Sequence, residues 1–158
     1  MSEEYTVKDY QDFDLSVSAV DFALSKICPL NYLCKIRKRS LYGLVLILEG
    51  AAEFFFPNQT FYAEKTDIVF VKKGESYQFY SRGEENLEFN VISFDIFPNA
   101  AAENFPFERL NKVSHPKRFE DMFRYVEDLW YEKSIGYKFQ ARSLVQSLMY
   151  ELLQEAFK

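Results

Sequence analysis

Between Asn31 and Phe97 the chain is a series of short apolar or alternating segments, each closed within a few residues by a turn signal. Tyr32 to Arg37 alternates, and Leu41 to Leu48 is apolar throughout, as a strand covered on both faces would be. Glu49-Gly50 ends that run and Ala51 to Phe56 begins the next. Pro57-Asn58-Gln59 then makes a hairpin turn into Thr60 to Glu64. Ile68 to Val71, Ser76 to Ser81 and Leu87 to Ile96 complete the series, separated by Lys73-Gly74 and by Arg82 to Asn86. About seven strands at this close, even spacing predict an antiparallel barrel or double-sheet jelly roll.

Beyond Pro98 the period changes. Asn99 to Asn104 reads as a loop, Phe107 to Val113 as one more strand, and Ser114-His115-Pro116 as a helix start. Phe119, Met122, Phe123, Val126, Leu129 and Trp130 recur at helical spacing to Lys133. After Ser134-Ile135-Gly136 a second helix carries Phe139, Leu144, Val145, Leu148, Met149, Leu152 and Leu153. The first thirty residues look different. Tyr5, Tyr10 and Phe13 sit among acids like an arm, and Leu15 to Ile27 has no clean period. The expected organisation is therefore an arm and lead-in over 1–30, a mainly β barrel over 31–113, and a helical segment over 114–158.

A chain of 158 residues fits one domain and buries about 70% of its unfolded surface. With 17 Phe and 11 Tyr, that surface belongs to a sandwich core or an aromatic-lined cavity. The net charge of −5 speaks against a nucleic-acid module, and the dense basic runs are Lys35 to Arg39 and Lys72-Lys73. The apolar run around Leu44 to Leu48 is far too short to span a membrane. Met-Ser-Glu-Glu lacks the apolar core of a signal peptide, so a cytoplasmic location is expected. There the Asn58-Gln59-Thr60 sequon is a chance match, and Cys28 and Cys34 are reduced, packed thiols. The single histidine, His115, reads as a cap or surface group; one His does not make a zinc or iron site. With no nucleophile motif and no phosphate-cradling Gly-rich loop, neither catalytic residues, metal nor cofactor are expected.

One spacing stands out in "TDIVFVKKGESYQFY" (Thr66 to Tyr80). Cupin barrels carry a motif in which Gly is followed six residues on by Pro, then by Gly and a metal-binding His. The corresponding slots here are Thr66, Lys72, Gly74 and Tyr77. The other cupin motif would put its Glu at Gly43 and its His ligands near Arg37 and Arg39. The frame is present without the ligands. Together with "YGLVLILEG" (Tyr42 to Gly50), "NVISFDI" (Asn90 to Ile96) and the two helical segments, this resembles the N-terminal effector-binding and dimerisation domain of AraC-family transcription regulators.

The resemblance implies a small-molecule effector, a sugar or another metabolite, held inside the barrel. It places Lys35 or Arg37 as a cationic donor and Val45, Tyr77, Phe79, Phe89 and Val91 as lining, with Phe94 on the opposite face toward the helices. The same aromatic residues equally suit a barrel filled by its own core. The resemblance further implies a homodimer through the last helix at Val145, Leu148, Met149 and Leu152, which would leave that stripe partly exposed in one protomer. DNA would be bound only through a C-terminal domain that this chain does not contain. A cupin-type enzyme with an atypical site and a free-standing small-molecule-binding cupin are the alternatives.

Overall fold

The computed structural model describes residues 7–158; the arm position Tyr5 lies outside them. Helix α1 (Val7–Tyr10) leads into β1 (Ser16–Cys28) and β2 (Leu33–Ile36). Then come β3 (Tyr42–Glu49), β4 (Ala51–Phe56), β5 (Gln59–Glu64), β6 (Ile68–Val71), β7 (Tyr77–Arg82) and β8 (Leu87–Phe97). Helix α2 (Asn99–Glu103), β9 (Leu110–Asn111), α3 (Pro116–Glu132) and α4 (Tyr137–Glu155) complete the chain. The strands form a five-stranded sheet in the order β1-β8-β3-β6-β9 and a four-stranded sheet in the order β2-β7-β4-β5, all pairings antiparallel. This is a cupin-like jelly roll followed by two helices.

Strand parity divides the core in two. In β3 every residue from Tyr42 to Ile47 is buried. Tyr42, Leu44 and Leu46 face outward with Ile68, Phe70, Ile92, Phe94 and Ile96, and meet Phe119, Phe123 and Val126 of α3 and Val145, Leu148, Met149 and Leu152 of α4. Val45 and Ile47 face inward with Val69, Val71, Leu87 and Phe89, toward Ala52, Phe54, Phe56, Tyr77 and Phe79 of the other sheet. The continuous apolar run of β3 is thus sandwiched between helices and barrel interior.

Three expectations need correction. Residues 16–28 are not a lead-in; β1 is the longest strand, pairing with β8 from Ser16↔Phe97 to Cys28↔Leu87. Its register shifts between Val17 and Ala19 and again between Val20 and Phe22. Each such bulge reverses which face the next side chain takes, erasing the two-residue period. Gln146 of α4 holds this irregular start, accepting from the Val17 N–H at 2.7 Å and donating to the Leu15 carbonyl at 2.9 Å. The Asn99–Asn104 segment is in fact α2, with Ala101 and Ala102 buried, a turn that three consecutive alanines favour. The strand expected over Phe107 to Val113 is reduced to Leu110–Asn111 on β6.

The dimer stripe is a fourth correction. Val145, Leu148, Met149 and Leu152 are buried within the protomer at 0–2% exposure, because both helices lie across the outer face of the larger sheet and α4 fills the space between α3 and β1. What α4 leaves outside includes Phe139 and Tyr150, 65% and 59% exposed.

Candidate functional site

The inner faces of the two sheets meet in a stack of rings. Phe54 lies 5.0 Å from Phe79 and 5.3 Å from Phe61, Phe56 lies 4.8 Å from Tyr77, and Phe79 meets Phe89 edge-on at 5.7 Å. Such contacts bridge β7 and β8 across the barrel. Within this cluster Ile47, Phe54, Val69, Val71 and Leu87 are sealed, whereas Val45, Phe56, Tyr77, Phe79 and Phe89 keep 6–7% exposure. Cys34, Ile36 and Val91, only partly buried, pack against the same cluster. Val45 pairs with Val91, Phe79 with Cys34, and Tyr77 with Ile36, so these partly open positions neighbour one another on β2, β7, β8 and β3.

Each sequence-derived position can now be placed. Val45, Tyr77, Phe79, Phe89 and Val91 all face the interior. Lys35 and Arg37 do not; both are exposed, because Cys34 and Ile36 take the inward parity of β2. The cation that does reach inside is Arg39. Its backbone is held on both sides by the β6–β7 turn: its N–H donates to the Glu75 carbonyl at 2.9 Å, and its carbonyl accepts from the Gly74 N–H at 2.7 Å. Nη1 makes a long contact of 3.4 Å with the Tyr77 hydroxyl. Nη2 occupies the room a side chain at Gly43 would need. Nε and Nη2 are out of solvent and have no hydrogen-bond partner among the described residues.

The turn explains two departures from the cupin spacing. Lys72 stands in the proline slot, and its N–H donates to Glu75 Oε1 at 2.7 Å, a bond that proline lacks. Thr66 stands in the glycine slot with φ 77° and is stabilised by its neighbour, since the buried Asp67 carboxylate accepts from the Glu64 N–H at 2.9 Å. Glu75 in turn receives the Arg109 guanidinium, which also lies 4.1 Å from the centre of the Phe56 ring and closes that end of the barrel.

Three of the motif slots, Arg39, Gly43 and Tyr77, come together in space. A guanidinium, a glycine and a phenol are not a donor set for a metal ion, and among the described residues no group of three His, Cys, Asp or Glu side chains is placed to hold one. Burial pushes the Tyr77 phenol above its ordinary pKa, and the Arg39 cation beside it works the other way. Burial likewise raises both thiols, Cys28 and Cys34, which makes them poor nucleophiles.

The family model for the AraC-like ligand binding domain matches residues 20–153. The chain belongs to this family. This AraC-like domain is accordingly a ligand-sensing regulatory domain. Among solved structures it is similar to ToxT from Vibrio cholerae, with a TM-score of 0.51 and 12% identity over 67% of this chain and 45% of that one. An apo form of a ToxT variant from the same organism gives 0.50 and 12%, over 65% and 46%. The likeness is one of fold, and the match takes in less than half of the ToxT chain. No curated protein sequence matches this one significantly. Among the described residues no helix is long and apolar enough to cross a membrane.

Proposed function

We propose that this chain is the non-catalytic, small-molecule-sensing part of an AraC-type transcription regulator, and that its effector binds between the two sheets. The observation that carries this reading is the aromatic inner face shared by the two sheets. In the inner cluster, residual exposure falls on Val45, Tyr77, Phe79 and Phe89, and on Phe56 at the end covered by Arg109. A barrel of this size holds either packed side chains or one small ligand. An apolar wall with few polar groups favours an effector with an apolar body over a free sugar.

Regulation would require the effector to bind two arrangements of the protein with different affinity. DNA contact would come from a further domain outside this sequence. Homodimerisation through α4 fits its outward side, where Phe139, Ser143 and Tyr150 share a face, and not the buried stripe.

A thermal-shift screen of metabolites tests the sensing role. A ligand at about 100 times its Kd raises stability by about 2.7 kcal/mol. A hit whose effect is weakened by Phe79→Leu supports the reading. A hit indifferent to Phe79→Leu and Val45→Ala places binding elsewhere and contradicts it.

A further inference from the structure

We propose that a groove on the outside of the larger sheet binds a primary organic ammonium ion. The site is separate from the barrel interior and does not rest on the reading of it.

The groove, about 610 Å³ in volume, runs between β1 and the last turns of α3. Phe22 and Leu24 border it from the strand, Trp130 and Tyr131 border it from the helix, and Ser25 contributes a hydroxyl. Glu127 and Asp128 add two carboxylates and Lys133 one ammonium, so the lining is one positive charge short of neutral.

The carboxylates stand where a helix disfavours them. Both lie in the last two turns of α3, whose C-terminal end carries partial negative charge and whose last turn has no basic residue. Earlier in the same helix the acids are paired, Asp121 with Lys117 and Glu120 with Arg124. Glu127 and Asp128 have no ion-pair partner among the described residues; Arg124, four positions before Asp128, is turned to Glu120. Lys133 is turned to the rings instead, its Nζ 5.1 Å from the centre of Trp130 and 5.2 Å from that of Tyr137. The aromatic wall thus already holds one cation.

An independent feature points to the same kind of ligand. Asn90 pairs with Ser25 of β1 and Leu46 of β3, and Leu46 faces the helices, so Asn90 does too. It is 2% exposed. Its Nδ2 contacts Ser25 Oγ at 3.4 Å, which directs the amide toward the groove, and its Oδ1 has no partner among the described residues. A buried acceptor left open is satisfied by a donor. An ammonium group supplies N–H donors to Asn90 and Ser25 and the missing positive charge beside Glu127 and Asp128. Its apolar body lies against Phe22 and Trp130. Among the described residues no three His, Cys, Asp or Glu side chains converge on a metal ion, and the aromatic wall suits an organic cation.

Three probes of one shape test this by NMR titration of the wild-type chain and of Glu127→Gln/Asp128→Asn: phenethylammonium, 2-phenylethanol and trimethyl(phenethyl)ammonium. Phenethylammonium should saturate with a Kd of about 1 mM or tighter, shifting the Trp130 indole and the Asn90 side-chain amide. It should bind wild type about fivefold or more tightly than the alcohol, and the double variant should bring that ratio to about one. Asp128→Asn alone should remove part of the preference. The trimethyl compound, which has no N–H to donate, should bind about threefold or more weakly than the primary ammonium.

Equal binding of amine and alcohol would leave an apolar groove without selectivity and overturn the proposal. So would a preference that survives in the double variant, or shifts that avoid Trp130 and Asn90. Equal binding of the primary and trimethyl ions would remove Asn90 from the site and overturn the assignment to a primary ammonium. No saturation up to about 10 mM would overturn the site itself.

Discussion

The guanidinium of Arg39 occupies the space that a side chain at Gly43 would take: a Cβ there would stand 2.3 Å from Nη2 and 2.8 Å from Val71 Cγ2. Glycine in mid-strand normally weakens a sheet. Here it admits a charged head group against the backbone of β3. Gly43→Ala should therefore destabilise the domain by about 1–3 kcal/mol through overpacking. Urea unfolding checks this, and the cost should shrink in the background of Arg39→Met, where the nearer clash is relieved. Equal costs in both backgrounds would mean that the two residues are not coupled.

Leu148 separates fold from assembly. It is fully buried between α4 and the sheet, so Leu148→Asp places a carboxylate in the protomer's own core and should unfold the domain, costing about 4 kcal/mol or more. Phe139→Glu, on the outward side, should leave the circular dichroism spectrum unchanged and alter only sedimentation if a dimer forms there. A folded, monomeric Leu148→Asp protein would contradict the packing.

Thr66 holds φ 77°, a region that costs a β-branched residue about 1–2 kcal/mol. Glycine removes that strain but makes the unfolded chain more flexible, which takes back part of the gain. Thr66→Gly should be net stabilising, by about 0.5–1 kcal/mol in urea unfolding. A destabilised variant would mean that the threonine side chain contributes more than its backbone costs.

Glu155 ties the end of α4 to the start of α3, accepting from Ser114 Oγ at 2.7 Å and from the Ser114 N–H at 3.1 Å. Burial works to raise its pKa, but the Ser114 hydrogen bonds and Lys158 outweigh it, leaving the group below its ordinary value. A carboxylate held lower in the folded state than in the unfolded one stabilises above its unfolded pKa, about 4.3. That contribution disappears as pH falls through the folded value. Glu155→Gln should flatten the acid limb of the stability curve below about pH 4.5. An unchanged limb would show that the contact carries no linkage.

How much of this was legible in the sequence follows from periodicity. The strands from β3 to β8 keep a two-residue alternation or a doubly covered apolar run, and α3 keeps a helical stripe, so their residues announced them. Strand β1 did not, because its two bulges reset the parity that a period depends on. The inward face of β7 was readable for the same reason, so Tyr77 and Phe79 were expected inside the barrel, where they lie. Lys35 and Arg37 were misplaced by one position of a short strand, and one position is enough to exchange inside for outside. Arg39 lies beyond that strand, on a segment whose path is set by bonds to Gly74 and Glu75, far along the chain. The one available signal was the coincidence of Arg39, Gly43 and Tyr77 with three slots of the cupin pattern. For α4 the width of its apolar stripe suggested a second partner, and that partner proved to be β1 of the same protomer.

The central claim is that an effector lies between the two sheets. Methyl-resolved NMR of the chain titrated with cinnamate locates it directly. The account predicts shifts and ligand contacts at Ile36, Val45, Val71 and Val91, with the methyls of Met122 and Leu144 on the helices unmoved. Shifts confined to Met122, Leu144 and the Trp130 indole, with the barrel methyls silent, would contradict it.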